Sequence, residues 1–486
     1  VISGLPGTAR PPFAFSPDDA AFLELVQRGC WNWAVDAANP VSGMVPDRDS
    51  QSYASTAGVG FQLAAFPVAV EHGWMGRAEA ERRVLTILTT LANAQTTRKF
   101  GMFQHFVDGA TGELPRGPYE DVVSTIDSAL LMCGCIVASS YFGGEIARVA
   151  DRLVAAADWA AFLNASPDAK PHERGFVSLG WKPKDLKNDP VGEGAFLPYY
   201  WLDAGCEHRI VSFLAVAAPD EAKRAPAELY YRLRRQVGID TSLGASAAEQ
   251  RLVYFPWSGA LFTSQFSHVF LNYGAMGPDD PAAHGVPGRA RVDWWENSRR
   301  TTNLHRARCA AYGRAHPGSG GGGFGPDAWG LTASDCTRGY QVPGVFPELD
   351  EEAMAGSRLL DDFSWFRPKD DFGDGSIAPY AAGMSVLFEP GAAVAALRHY
   401  RSVAETGGGD LRRVWDEPAK GGYGFADAFN VQKEWVSKDR LAIDQLPMLL
   451  AIENARTGLV WRLFHAHRVV RAGLERLRLV QMNVGS

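Results

Sequence analysis

Residues 119 to 142 of the chain, YEDVVSTIDSALLMCGCIVASSYF, carry a helical pattern that is apolar on nearly every side. Val122, Val123, Ile126, Leu130 and Met132 cover several faces at once, and a helix of that kind is buried rather than laid on a surface. Glu120, Ser124, Asp127 and Leu131 recur at i, i+4, i+7 and i+11 and share the remaining face. An ionised Asp127 inside such a helix costs on the order of several kcal/mol unless it is paired, hydrogen-bonded or open to a wet cavity. A wet cavity at the mouth of a buried helix is the option with functional content.

Further helical patterns run through 16 to 37, where Ser16 is placed as a cap, 54 to 74, Arg77 to Asn93, Glu145 to Ala165 and Cys206 to Ala217. They continue at Ala245 to Arg251, Trp294 to Tyr312, Ala392 to Ala404 and Asp444 to Leu479. Strand-like runs are few and short; GMFQHFVDGATGE is read as an extended segment with a turn at Asp108 and Gly109. Long connections rich in Gly, Pro and Trp separate the helices, the kind of loop that carries function on a rigid scaffold. No Pro/Ser-rich linker or charge block divides the 486 residues, so the expectation is one large domain over 1–486, with 1–15 as an N-terminal extension. An α/α or β/α barrel absorbs that length.

The net charge of −7 argues against a nucleic-acid or anionic-membrane surface, and the absence of a run of eighteen apolar residues argues against a membrane span. The six cysteines show no CxxC or zinc-type spacing, and Cys133 and Cys135 read as small core residues. HExxH, GxSxG and an EF-hand loop are missing, and the glycine-dense segment from His316 to Gly330 lacks the setting of a phosphate loop. The chain begins at Val1 with a loop-like stretch, which fits an exported, periplasmic or secreted protein whose signal peptide has been removed. Fourteen Trp residues fit flat platforms for sugar rings, with large core side chains accounting for part of them.

Three segments set an acid at the mouth of an apolar helix. Asp127 is the first. In YYWLDAGCEHRIVSFLAV, Asp203 and Glu207 share a face behind Tyr199, Tyr200 and Trp201; in LAIDQLPMLLAIENARTGLVW, Asp444 stands just before a helix with an early Pro447. Spacing also fits plainer roles, an N-cap for Asp444 and a partner of Arg209 for Glu207. His105 and His268 are isolated histidines of the kind that are usually structural. Carboxylates with Trp on a helical scaffold point to glycoside chemistry, in which one carboxylic acid protonates the leaving oxygen and a carboxylate activates water or attacks carbon.

The phrases SGMVPDR, VSTIDSALLMCG, LFTSQFSHVF, DWWENSRRTT, WGLTASDC, DGSIAPYAAG, YGFADAFN and IDQLPMLLAIENARTGLVW, in this order from about residue 30 to 465, resemble the successive motifs of the glucoamylase-like domain family. That family is similar to endo-β-1,2-glucanases and to the transglycosylation domain of cyclic β-1,2-glucan synthases. The resemblance implies a mainly all-α chain, an (α/α)6 toroid with short strands in cleft-side loops, and an aromatic-lined cleft that hydrolyses a β-glucan without metal or cofactor. Glu207 resembles the family's general acid, Asp444 its base, and Asp127 an acidic position that matters to the retaining branch. Glu120, Asp203, Tyr200, Trp201, Gln265, His268, Trp329, Asp335 and Tyr423 are expected to contact substrate. The aromatic surroundings of Glu207 should keep it protonated, and the helix dipole should keep Asp444 ionised. The expectation is an inverting, endo-acting β-1,2-glucan hydrolase; the alternatives are a retaining transglycosylase on the same scaffold and a non-catalytic glycan-binding protein.

Overall fold

The structure, a computed structural model, describes residues 9–116, 122–243, 252–317, 323–349 and 369–479. Its helices fall into two kinds. Those buried almost all round are α2 (Thr56–Glu71), α4 (Thr125–Phe142), α6 (Arg209–Ala217), the short α8 (Phe266–Phe270), α10 (Pro379–Met384) and α12 (Ala442–Arg456). Those buried along one stripe include α1 (Pro17–Asp36), α3 (Arg77–Asn93), α5 (Gly144–Ala156), α9 (Trp294–Ala315) and α11 (Pro390–Thr406). On α3 the buried residues are Ala80, Val84, Ile87, Leu88 and Leu91, one face at helical spacing, as expected of an outer helix laid on a core. The architecture is an (α/α)6 barrel, with the first kind forming the inner ring.

The order of the ring follows from its contacts. The α2 helix packs on α4 and α12, α4 on α6, and α10 on α12. Arg209 of α6 donates to Ser267 Oγ of α8 at 3.1 Å, and Gln265, ahead of α8, donates to the Ala381 carbonyl of α10 at 3.0 Å. The ring thus runs α2, α4, α6, α8, α10, α12 and back to α2. Connections also sort by end: residues 72–76, 143 and 457–458 link helices briefly, whereas 37–55, 157–208 and 407–441 lead from an outer helix to the N-terminus of an inner one. The long segments, and with them the small antiparallel sheets, gather where the inner helices begin. This is the mouth of the barrel.

Differences from the predicted elements have local causes. The helix predicted from residue 119 starts at Thr125, because Val123–Ser124 (β5) pairs instead with Gly180–Asp185 (β6), and Ser124 caps α4 by accepting the Asp127 N–H. Glu145 to Ala165 stops at Ala156, where the chain turns extended. Asp444 to Leu479 divides into α12, α13 (Leu459–Ala466) and α14 (Arg468–Arg476), broken at Gly458 with φ 71° and at His467, which caps the last of them. The helix predicted at 245–251 lies outside the described residues apart from its flanks. The extended segment at 101–113 holds as Met102–Phe103 (β3) and Phe106–Asp108 (β4), with Arg98–Lys99 (β2) paired to β3 and Tyr53–Ser55 (β1) paired to β4. Helix α4 is long and apolar enough to cross a membrane by composition, yet 78% of it is buried inside the protein. All six cysteines are free and buried.

Candidate active site

Glu207 sits in the turn that enters α6, its side chain at the mouth of the barrel and only 6% of the residue exposed. Removal from water pushes its carboxyl up to about 7; Cys206 and backbone hydrogen bonding pull back, while the charges of Asp203 and Asp127 push further. Its loop is built to be rigid. Asp203 is paired through both carboxylate oxygens with Arg234, accepts the Trp257 N–H at 2.9 Å, and gives its own N–H to His208 Nε2 at 3.1 Å. His208 stacks on Trp201 at 4.8 Å and burial lowers its pKa to about 3, so the ring is neutral. The Trp201 indole in turn donates to Thr125 Oγ1 in the first turn of α4 at 2.8 Å, locking the Glu207 loop to the helix that carries Asp127. Asp127 accepts a hydrogen bond from Ser124 Oγ and lies 3.6 Å from His105 Nε2.

Cys206, Glu207 and His208 bring three potential donor atoms within 4.8 Å of one another. The geometry serves hydrogen bonding better than metal ligation: Nε2 of His208 spends its lone pair on the Asp203 N–H, which leaves the proton on Nδ1.

A second acidic cluster surrounds the start of α12, three places from α6 in the ring and so on the opposite side of the mouth. Asp444 is 1% exposed and Asp427 is 1% exposed. Burial comes first in raising Asp444 well above the ordinary carboxylate range, followed by the charge and hydrogen bond of Asp427 and the charge of Asp47. Burial likewise pushes Asp427 up to about 6. Two carboxyls this close cannot both ionise, so the pair keeps one proton between them across the range where isolated acids are charged. Around them, Asp335 gives its N–H to Asp427 Oδ2 at 3.0 Å, Ser437 donates to Asp335 at 2.8 Å, and Arg48 bridges Asp47 and Asp335 at 3.1 and 3.3 Å. Tyr340 leans over Arg48 at 5.8 Å with half of its surface exposed, its hydroxyl pushed up by burial and by the charges of Asp444 and Asp427.

These observations correct two readings of Asp444. It is not the N-cap, a place held by Leu441, and its side chain is in the first turn instead. Nor is it held ionised by the helix dipole, because burial beside Asp427 outweighs that field, which is worth about 1 kcal/mol. Of the expected substrate contacts, Tyr200 and Trp201 stand on the Glu207 side, and Asp335 in the acidic cluster opposite. Gln265 is fully buried, bonded to Ala381 and Ser385, and His268 is buried against Ser298 with its pKa driven well down by burial and by Arg209. Trp329 is fully buried, and Asp203 is spent on Arg234 and the Trp257 backbone. All four are buried in the scaffold of the mouth, with Gln265 Oε1 and Trp329 Nε1 left without a hydrogen-bond partner among the described residues. Tyr423 bonds Asp36 at the end of α1 and lies under Arg440, and Glu120 lies outside the described residues. Missed from sequence were Asp427 and the exposed aromatics Trp257 and Tyr340, 48% and 51% exposed. Asp427 was findable, since an acid inside FADAF poses the same burial problem as Asp127.

A family model described as putative glucoamylase matches residues 198–468. The exo β-1,2-glucooligosaccharide sophorohydrolase (non-reducing end) of Parabacteroides distasonis is 25% identical over 95% of this chain, which spans 58% of the length of that relative. Among solved structures, the endo-β-1,2-glucanase from Chitinophaga pinensis in complex with sophorotriose and glucose superposes with a TM-score of 0.69 at 24% identity, covering 96% of this chain and 98% of the other. A putative glucoamylase from Bacteroides fragilis superposes with a TM-score of 0.70 at 26% identity, covering 97% and 99%.

Proposed function

The chain belongs to the putative glucoamylase family, and on that premise we propose that it is a glycoside hydrolase that cleaves β-1,2-glucan, acting within the chain and inverting the anomeric carbon. One observation carries the reading: a buried Glu207 at the entry of α6 and a buried Asp427–Asp444 pair at the start of α12 lie on opposite sides of the barrel mouth, and burial raises the carboxyls on both sides. Glu207 is then the acid that protonates the departing oxygen. The Asp427–Asp444 pair, with one charge remaining, takes the proton of the attacking water. Asp127 supports the acid through its charge and helps to hold substrate or water. The linkage is suggested by the glucan named for the sophorohydrolase and the endo-glucanase to which the chain is similar.

A retaining transglycosylase is the second reading, favoured by the closeness of Asp127 to Glu207, near enough for the charge of one to raise the other. Incubation with linear β-1,2-glucan separates the possibilities by product. Short oligosaccharides are expected from the wild type; ring or elongated products select the transglycosylase, and intact polymer with measurable binding selects a glycan-binding protein.

A further inference from the structure

A groove of about 650 Å³ opens among the mouth-side segments between the β2–β3 turn and a hairpin formed by β6 and Asp189–Phe196 (β7). Phe100 and Phe196 stand in it, 38% and 40% exposed and stacked at 5.6 Å. Both rings rest edge-on against the buried Phe162, at 5.9 and 5.1 Å. Trp181 forms the floor; Gly194 lies so close over it that a Cβ there would come within 2.1 Å of the indole. The Lys99 ammonium ties the hairpin down by donating to the Val191 and Gly192 carbonyls at 2.6 and 2.7 Å. The groove is thus a supported platform.

Phe100 is held at φ 52°, a left-handed conformation that an L side chain avoids, and it holds there a large apolar ring that is not buried. The two-residue β2–β3 turn, with Phe100 and Gly101 at φ 52° and 77°, asks for the left-handed backbone but not for a large, partly exposed ring there. The platform is also continuous with the catalytic mouth. Strand β6 lies between β5 and β7, pairing Val123 with Trp181 and Ser124 with Gly180, and Ser124 is the residue that caps α4 and bonds Asp127. A chain leaving the mouth on the Asp127 side therefore meets β6 and then the two exposed rings, with the main-chain groups of the outer strand β7 alongside.

We propose that this groove is an outlying subsite for the same β-glucan, in which Phe100 and Phe196 stack on pyranose faces and the β7 backbone takes hydroxyl hydrogen bonds. It rests on the reading of the mouth as a glucan-cleaving site, and it commits the occupant to a stretch of substrate beyond the bonds at the carboxyls. Flat apolar rings match the C–H face of a pyranose, and strand-edge amides match a neutral, hydroxyl-rich chain.

The test replaces Phe100 by Gly and, separately, Phe196 by Ala. Phe100→Gly relieves the backbone at the same position, so its melting temperature should hold or rise while the long-chain preference weakens. That preference, the ratio of kcat/KM on linear β-1,2-glucan to kcat/KM on the shortest oligosaccharide cleaved, should fall roughly five- to tenfold in either variant. A purely structural ring would move the melting temperature and leave the ratio alone, and that result would overturn the proposal. Affinity electrophoresis in gels containing linear β-1,2-glucan judges the groove apart from catalysis: with Glu207→Gln as background, loss of either ring should reduce retardation. Undiminished retardation would overturn the subsite even if hydrolysis is confirmed, as would a change in oligomeric state unaccompanied by any loss of glucan binding. Absence of hydrolysis by the wild type, with ring-dependent retardation intact, would sink the catalytic reading and keep the groove.

Discussion

Glu207 and the Asp427–Asp444 pair meet opposite demands with the same physical means. In the proposed reaction Glu207 must keep its proton to donate it, so activity should be lost as pH rises through about 7. The pair must have lost one proton to accept another, so activity should be lost as pH falls through about 6. The pH profile of kcat/KM on β-1,2-glucan is therefore expected to be a narrow bell between these values, whose acidic limb belongs to the pair rather than to either residue. The proton lost near 6 leaves Asp427 with the help of a hydrogen bond from Asp444; Asp427→Asn removes that step and leaves a lone Asp444 raised by burial, so the acidic limb should shift upward. An unmoved limb would mean that the two carboxyls do not share their proton. Glu207→Gln and Asp444→Asn should each cut turnover by roughly 10²-fold or more with the melting temperature nearly unchanged, since each replaces a carboxyl by its isostere. Near-normal turnover in a folded Glu207→Gln variant would send the search for the acid to Asp127. Asp203 is a poorer refuge, because its oxygens are committed to Arg234 and the Trp257 N–H. Much of this was readable in the sequence as burial conflicts: acids inside apolar helices had to be paired, neutral or functional. What could not be read was pairing between distant segments, so Asp427 went unseen and Asp444 was expected to be ionised.

At the scale of elements, the inner ring depends on close approach as well as on apolar pattern. Gly60 of α2 and Gly134 of α4 let the two helices touch through their backbones: a Cβ on Gly60 would lie 2.3 Å from the Leu130 carbonyl oxygen, and one on Gly134 would lie 2.0 Å from the Gly60 oxygen. Neither obstacle is a flexible side chain. Gly134→Ala should accordingly destabilise the protein by about 1–3 kcal/mol, the usual cost of overpacking, and lower its melting temperature by a few degrees. Because the same displacement moves the α4 N-terminus, Asp127 shifts with it, and turnover should fall in parallel. An unaltered melting curve would show that the helices can part without cost. Periodicity in the sequence located most of these helices and marked α4 as apolar on nearly every side. It misjudged their ends, because strand pairing at Val123–Ser124 and the left-handed Gly458 are settled by partners far along the chain or by backbone conformation, which hydrophobic spacing does not encode.

Across the whole molecule, the ring order converts sequence distance into chemical separation. Glu207 enters α6 and Asp444 lies in α12, three places apart in the inner ring, so Glu207 and the proton-sharing pair stand on opposite sides of the mouth. Asp127, on the neighbouring α4, is instead on the side of Glu207. Family-like motifs in order anticipated the barrel. They also put Gln265, His268 and Trp329 at the substrate, and the structure buries all three, because a motif records which residues recur and not how deeply they sit. An acid and base set apart across the mouth correspond to the wider carboxyl separation of inverting glycosidases, roughly 6.5–9.5 Å, whereas Glu207 acting with Asp127 would imply retention. The anomeric configuration of the first products decides between them. In proton NMR spectra recorded during the first minutes of cleavage of linear β-1,2-glucan, new reducing ends should appear as the α anomer and only later equilibrate; new ends appearing first as the β anomer would contradict the assignment of the base to the Asp427–Asp444 pair.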